Sequence, residues 1–326
     1  MLKEAIDSIL AQTYREFELV IVDDKSPERL YDVIKEYPWE PSFEILPGGG
    51  ERWSVDGISV RYYQNVENIG GKDLVAAWNH AMEYATGEWC VLSSDDDKYH
   101  PEYLQEMIGL TEKYPGVDLF HCRNCVINIH GDLMTVEASR QEYESGIQML
   151  YSSSVLRIHQ CMADLMFRRT AYDAVKGFPY FPLAWYTDHA FAIKLAWKNG
   201  AVCSGRVLFY FRNSGVNISS SDMGINQKIE AGRLFFKWVE RLLVSVDKDK
   251  LECDDRMLLP MILNGVKVKT LDVMRWYLNQ LSFLRFVRTI RMSQLDKSTK
   301  LRFIKDRFAS WLYLRRYLPR WRGHRL

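Results

Sequence analysis

No stretch of this chain stays apolar long enough to span a bilayer, and no charged-then-apolar leader opens it. A polytopic membrane protein and a secreted precursor are therefore not expected. The expected location is the cytoplasm, or the inner face of a membrane without crossing it. Cysteine is sparse. The six thiols, Cys90, Cys122, Cys125, Cys161, Cys203 and Cys253, are scattered in mostly apolar surroundings, as reduced core cysteines are. Only Cys122-Arg-Asn-Cys125 has a metal or redox spacing, and without a second pair a structural role is expected. Net charge is +1, which gives no electrostatic case for nucleic acid, and no nucleic acid partner is expected. Repeats are absent, and the only low-complexity run is Ser219-Ser220-Ser221.

What is present is a globular balance. The chain has 326 residues, of which 47% are hydrophobic and 26% charged, enough for one main domain and an appendage. Leu2, Ala5, Ile6, Ile9 and Leu10 carry a helical period over Met1 to Gln12. A buried-type strand, Phe17 to Val22, then ends in Asp23-Asp24, and Glu28 to Tyr37 reads as a crossover helix. Pro38 to Gly57, with its Gly48-Gly49-Gly50 run, reads as a surface loop, because no strand leads into it and no helix follows as a phosphate loop requires. Ile58 to Gln64 alternates like a strand. Asp73 caps a helix that runs to Tyr84, and Trp89 to Leu92 is a strand followed by Asp95-Asp96-Asp97. Strands alternating with helices are βαβ units, so an α/β fold with a mostly parallel sheet is expected, with both acidic clusters at one edge of it.

After a helix over Glu102 to Tyr114, Val117 to His121 and Val126 to Ile129 form a strand pair. Ala138 to Ser154 has no assignable pattern. Met162 to Phe167 and Val207 to Phe211 are strands, and Thr187-Asp188-His189 heads the helix Ala190 to Trp197. From Ile225 the pattern is helical throughout. A boundary near Gly224 therefore separates a domain of residues 1–224 from a helical region of residues 225–326.

Three adjacent anions repel one another unless water or a hard divalent cation offsets the charge. The triplet is thus either a metal site or an acidic, solvated turn. Asp188 is either a helix cap or a catalytic carboxylate.

The ordered set Leu2-Lys-Glu-Ala-Ile-Asp-Ser-Ile-Leu-Ala-Gln-Thr-Tyr14, Phe17-Glu-Leu-Val-Ile-Val-Asp-Asp-Lys-Ser26, Asn68-Ile-Gly70, Ala85-Thr-Gly-Glu-Trp89, Ser94-Asp-Asp-Asp97 with Pro101, and Lys176-Gly-Phe178 before Thr187-Asp188 resembles the family-two inverting glycosyltransferases. The resemblance covers residues 2–224. It implies the glycosyltransferase A fold and transfer of a sugar from a nucleoside-diphosphate sugar to a hydroxyl acceptor, in cell-surface polysaccharide or glycoconjugate synthesis. On the matching positions it implies that Asp23, beside Asp24, accepts a hydrogen bond from the base, with Lys72 near a basic nucleotide contact. Mn²⁺ or Mg²⁺ on Asp95, Asp96 and Asp97 would bridge to the diphosphate. Ser94 stands where relatives carry an aspartate, which favours Asp95 and Asp97 as ligands and leaves Asp96 open. Asp188 would be the general base. The family's opening apolar strand has no counterpart before Leu2, so either the start is truncated or misassigned, or the domain, its first strand missing, lacks a central strand. A non-catalytic nucleotide-sugar-binding protein of the same fold is the alternative.

Three further features stay two-sided. Trp185 and Tyr186 stack on a sugar or pack the core. Arg212, Asn217 and Ser219 lie on a polar loop that folds over the diphosphate or merely links. The tail interleaves Arg302, Lys305, Arg307, Arg315, Arg316, Arg320, Arg322 and Arg325 with Phe303, Phe308, Trp311, Tyr313, Tyr317 and Trp321. It suits either an anionic membrane surface bearing a lipid-linked saccharide acceptor or packing on the body.

Overall fold

The computed structural model describes residues 1–27, 30–42, 46, 49–156, 160–215, 217–218 and 224–317, with residues 310–317 described by main chain alone. Gly48, Ser219, Ser220, Ser221 and, in the tail, Arg320, Trp321, Arg322 and Arg325 lie outside the described residues.

The first segment is helix α1 (Leu2–Leu10), with Ala5 and Ile6 on its buried face. Strand β1 (Glu18–Asp23), α2 (Leu30–Lys35), β2 (Glu40–Pro41), β3 (Glu51–Val55), β4 (Ile58–Gln64) and α3 (Leu74–Met82) follow. Asp73 caps α3 by accepting from the Ala76 N–H at 3.0 Å. Next come β5 (Trp89–Val91), β6 (Lys98–Tyr99), α4 (Tyr103–Lys113), β7 (Leu119–Asn128), β8 (Leu133–Val136), β9 (Tyr143–Glu144) and α5 (Gly146–Ser154). The domain closes with β10 (Met166–Arg168), α6 (Arg169–Ala174), α7 (Thr187–Asn199) and β11 (Ala201–Asn213). Helices α8 (Ile225–Val244), α9 (Cys253–Gln280), α10 (Phe283–Met292) and α11 (Lys297–Tyr317) complete the described chain.

The strands form two mixed sheets, where alternation of strand and helix had implied one mostly parallel sheet. The first has the order β1-β4-β3-β2 and the second β5-β10-β7-β11-β6, with β8 on β7 and β9 on β11. Among the described residues only β1 with β4 and β7 with β11 run parallel. The other pairs are antiparallel: β2–β3, β3–β4 and β7–β8 join consecutive strands, whereas β5–β10, β7–β10, β6–β11 and β9–β11 bring distant strands together. One hairpin falls inside the stretch expected to be loop: β3 and β4 join through Asp56 and Gly57, whose φ values of 47° and 79° form the left-handed pair of a two-residue turn. The expected strand pair at residues 117–129 is one continuous strand, β7. It carries Cys122 and Cys125 as buried free thiols. The stretch without an assignable pattern holds β9 and α5, and α5 opens on a reciprocal cap between Ser145 and Gln148.

Successive residues of β7 face opposite layers. Leu119 packs with Phe167, Phe178 and Phe191 on the side of α3, α6 and α7, while Phe120 packs with Tyr103, Met107 and Phe209 on the side of α4. A separate core under the first sheet joins Ile6, Ile34, Trp53, Ile58 and Val60. The helical region shares a core with the α/β part: Ile147 and Leu150 of α5 and Ala190 and Ile193 of α7 pack with Phe235 and Val239 of α8 and Ile262 and Val266 of α9. Each fully buried aliphatic or aromatic side chain contributes about 1.5–3 kcal/mol, so this shared core docks α8 and α9 firmly beside the start of α7.

Candidate active site

The two acidic clusters end strands of different sheets, so the expectation of one shared sheet edge is corrected. Asp23 closes β1 in the first sheet, whereas the triplet follows β5 in the second. The cause is that β1 completes its ladder with β4 and makes none with β5.

Within the triplet the three carboxylates differ in setting. Asp95 is exposed, Asp96 is half-buried and Asp97 is buried. Asp97 accepts from Ser94 Oγ at 2.5 Å and from the Arg212 main-chain N–H at 2.7 Å. Burial pushes its carboxyl up to about 7, with the charges of Asp96 and Asp95 adding to the rise against those two hydrogen bonds. Asp96 is raised first by burial and then by the Asp95 charge, and it accepts from Asn217 Nδ2 at 3.1 Å. Among the described residues no three His, Cys, Asp or Glu side chains gather as a closed metal cage. Adjacent hard oxygen donors whose mutual repulsion disfavours ionisation nevertheless fit a divalent ion of the Mg²⁺ or Mn²⁺ kind. Such ions take one or two carboxylates and complete their shell with water and substrate phosphate.

Arg212, expected on a loop over the nucleotide, is instead wholly buried at the end of β11. Its Nε donates to the Asp96 carbonyl at 2.7 Å, Nη1 to the Ile129 carbonyl at 3.0 Å and Nη2 to Glu4 of α1 at 2.7 Å. With its fork committed to these acceptors the side chain braces the triplet and does not face a ligand. Ser219 lies outside the described residues.

Asp23 and Asp24 organise the neighbouring backbone. Asp23 is buried and accepts from Tyr62 Oη and Gln64 Nε2, each at 3.0 Å, and from the Ser26 N–H at 2.9 Å. Asp24 accepts from Asn65 Nδ2 at 2.7 Å and from the N–H groups of Ile69 at 2.9 Å and Gly70 at 2.6 Å. It thereby shapes the turn before α3. A Cβ on Gly70 would meet Asp24 Oδ2 at 2.9 Å, so the glycine is required for this approach. Lys72, on the same turn, is solvated and pairs with Glu67 at 2.7 Å.

Asp188 sits in the first turn of α7, and neither it nor Thr187 caps the helix. The cap position is Tyr186, and the Thr187 hydroxyl donates to the Pro179 carbonyl at 3.1 Å. The turn leading in is strained: Leu183, Ala184 and Tyr186 take φ of 59°, 54° and 74°. Tyr186 is held there by stacking on Phe235 of α8, with ring centroids 4.6 Å apart, and Trp185 packs edge-on to Tyr277 of α9. Both rings are therefore committed to protein contacts. Asp188 Oδ1 accepts from the His189 main-chain N–H at 2.8 Å and lies 2.9 Å from His189 Nδ1. Beyond the ring, His189 Nε2 is 3.1 Å from Lys269 Nζ of α9. Burial and the Lys269 charge push His189 below its ordinary value. Neither His189 nor Lys269 stood out in the sequence. The only available signal was a titratable residue next to Asp188.

Cys161 is a buried thiol in the core that also holds Tyr99 and Phe209. Cys161 is driven well up by burial, with the charges of Asp164, Asp97 and Asp188 adding to the effect. On the triplet side the geometry is direct: Tyr99 Oη, two residues after Asp97, donates to the Ala163 carbonyl at 2.8 Å, and the neighbouring Asp164 is buried.

Two mixed sheets covered by helices, with strand-end acids and a carboxylate opening a later helix, define a glycosyltransferase A fold. The sequence model for "Glycosyl transferase family 2" matches residues 1–173, more than half of the chain, and the chain belongs to that family. It is 28% identical over 113 residues to the putative glycosyltransferase EpsE of Bacillus subtilis, a match covering 35% of this chain and 34% of that protein. It is 26% identical over 113 residues to the amylovoran biosynthesis glycosyltransferase AmsB of Erwinia amylovora, covering 34% and 31%. An uncharacterized glycosyltransferase of Nostoc sp. is 25% identical over 237 residues, covering 71% of this chain and 66% of that one. The matches thus span from about a third to just under two thirds of these relatives. Among solved structures, residues 1–349 of S. aureus TarS superpose with a TM-score of 0.59 at 16% identity, over 89% of this chain and 74% of that one. The mannosyltransferase PcManGT of Pyrobaculum calidifontis, in complex with GDP-Man and Mn²⁺, gives 0.52 at 15% identity, over 98% and 77%. At these identities the likeness is one of fold.

Proposed function

We propose that this chain is a metal-dependent inverting glycosyltransferase that moves a sugar from a nucleoside-diphosphate sugar to a hydroxyl acceptor in cell-surface polysaccharide or glycoconjugate synthesis. The observation that carries the reading is the pair of carboxylate features in a family-two chain: the triplet Asp95-Asp96-Asp97 after β5, braced by Arg212, and Asp188 in the first turn of α7, held by His189. One relative named for amylovoran biosynthesis, and solved structures named for complexes with UDP and with GDP-Man, support the substrate class.

In this reading Asp23 and Asp24 shape the pocket for the base and ribose, and Lys72 faces the diphosphate from the turn before α3. Asp95 and Asp97, with Asp96 beside them, would hold Mn²⁺ or Mg²⁺, which supplies charge neutralisation of the departing diphosphate. Arg212 braces those carboxylates from behind. The acceptor hydroxyl attacks the anomeric carbon opposite the leaving oxygen, the glycosidic C–O bond breaks, and Asp188 takes the hydroxyl proton. One displacement inverts the anomeric centre.

The acceptor is proposed to be a saccharide or a lipid-linked saccharide at an anionic membrane surface. Among the described residues no helix is long and apolar enough to cross a membrane. α10 nevertheless exposes Phe283, Leu284, Val287 and Met292 alongside Arg288 and Arg291 while burying Phe286 and Ile290, a pattern suited to lying on lipid.

Turnover of a panel of UDP- and GDP-sugars with and without Mn²⁺ tests the reading. Release of nucleoside diphosphate that depends on the ion is expected. Donor binding without turnover would make the chain a nucleotide-sugar-binding protein instead, and release of pyrophosphate would make it a nucleotidyltransferase.

A further inference from the structure

Lys269 belongs to α9, in the helical region, yet it reaches the carboxylate proposed as base. Its ammonium donates to the Ser153 carbonyl of α5 at 2.6 Å and lies 3.1 Å from His189 Nε2. An ammonium carries only donors, so Nε2 must accept. The single proton of a neutral ring then sits on Nδ1, 2.9 Å from Asp188 Oδ1, and donates to it. The main-chain N–H of His189 reaches the same oxygen at 2.8 Å. Two donors on one oxygen fix the plane of the carboxylate.

We infer that Lys269 is a positioning residue for Asp188: by occupying His189 Nε2 it fixes the Nδ1–H tautomer, and that donor aims the Asp188 carboxylate at the acceptor hydroxyl. The inference rests on the reading of Asp188 as the general base. It makes docking of α9 a condition of catalysis, so the helical region is part of the active site.

The charged groups around His189 set the direction of its pH response. On its own helix stands Asp188, whose charge favours the imidazolium. From α9 comes Lys269, and from the 137–144 segment comes Arg140, both of which oppose it. Tyr186 and Phe235 meet the ring edge-on at 5.7 and 6.2 Å. Tyr186 is held neutral, because burial raises its hydroxyl far above the ordinary range. Burial and the two cations keep the ring neutral. A neutral donor orients a carboxylate without cancelling its charge, whereas an imidazolium would pair with it and weaken it as a base.

The test uses the full chain, a UDP- or GDP-sugar donor and Mn²⁺. Lys269→Met is expected to lower kcat about 10- to 100-fold with the donor KM unchanged. It should also move the acid limb of the kcat profile to higher pH, because His189 then accepts a proton. Lys269→Arg should restore most of both. In the unsubstituted chain, ¹⁵N shifts of His189 should show a protonated Nδ1 and a bare Nε2. This second readout decides the question even where Lys269→Met does not fold. An unchanged kcat and acid limb in a folded Lys269→Met chain, or a protonated Nε2 in the unsubstituted chain, would overturn the inference. If Asp188→Asn turns over normally, the base reading itself fails. If Asp188→Asn is inactive while Lys269→Met is unaltered, only the role of Lys269 fails.

Discussion

Arg212 holds Asp97 from behind: its main-chain N–H donates to Asp97 Oδ1 at 2.7 Å while its Nε donates to the adjoining Asp96 carbonyl at the same distance. The end of β11 is thereby tied across the sheet to the triplet, and Glu4 extends the tie to α1.

Arg212→Ala removes three hydrogen bonds made by a wholly buried guanidinium and takes the donor from the Asp96 carbonyl, while Glu4 keeps solvent and Lys98. A loss of about 3 kcal/mol or more is expected in urea unfolding. Arg212→Lys should recover less than half of that, because one ammonium cannot span the separate acceptors that the fork reaches.

Gly70→Ala places a methyl group 2.9 Å from Asp24 Oδ2 and forces the carboxylate off the N–H groups it organises. Weaker donor binding by calorimetry is expected, with a stability cost of about 1–3 kcal/mol from the disrupted hydrogen bonds. Unchanged affinity would separate this turn from the nucleotide pocket.

The helices were legible in the sequence where one apolar stripe is sustained, as in α1, α3, α4 and the run from α8 onward. The β3–β4 hairpin was hidden among prolines and glycines, although Asp56-Gly57 between Trp53-Ser-Val and Ile58-Ser-Val is a hairpin signal. Ser145 and Gln148 likewise spell the start of α5. Strand-end acids and Asp188 could be singled out because their positions relative to strands and helices are local features. The commitment of Arg212 could not be read, since its partners Asp96 and Glu4 lie 116 and 208 residues away. The approach of Lys269 to His189 across 80 residues is of the same kind. Local periodicity carries no record of which distant elements pack together.

Chelation by EDTA should abolish turnover, and Mn²⁺ or Mg²⁺ should restore it. Asp95→Asn removes an exposed carboxylate that accounts for part of the repulsion raising Asp96 and Asp97. It should raise the Mn²⁺ concentration for half-maximal activity while leaving unfolding unchanged, and lower saturated turnover by about 100-fold. Turnover indifferent to EDTA would remove the metal from the account.

α10 should bind vesicles containing phosphatidylglycerol, with binding that weakens as salt rises. Leu284→Asp should reduce co-sedimentation without affecting the fold, because Leu284 is 81% exposed. Equal binding of neutral and anionic vesicles would contradict an electrostatic contribution.

Asp188 is the proposed base. The most direct measurement compares sugar transfer and donor binding in Asp188→Asn, a change that keeps the size of the side chain and an acceptor oxygen for His189. Transfer should fall by about 1000-fold, while calorimetric binding of the nucleotide sugar with Mn²⁺ stays as in the unsubstituted chain. Transfer at the unsubstituted rate would contradict the assignment.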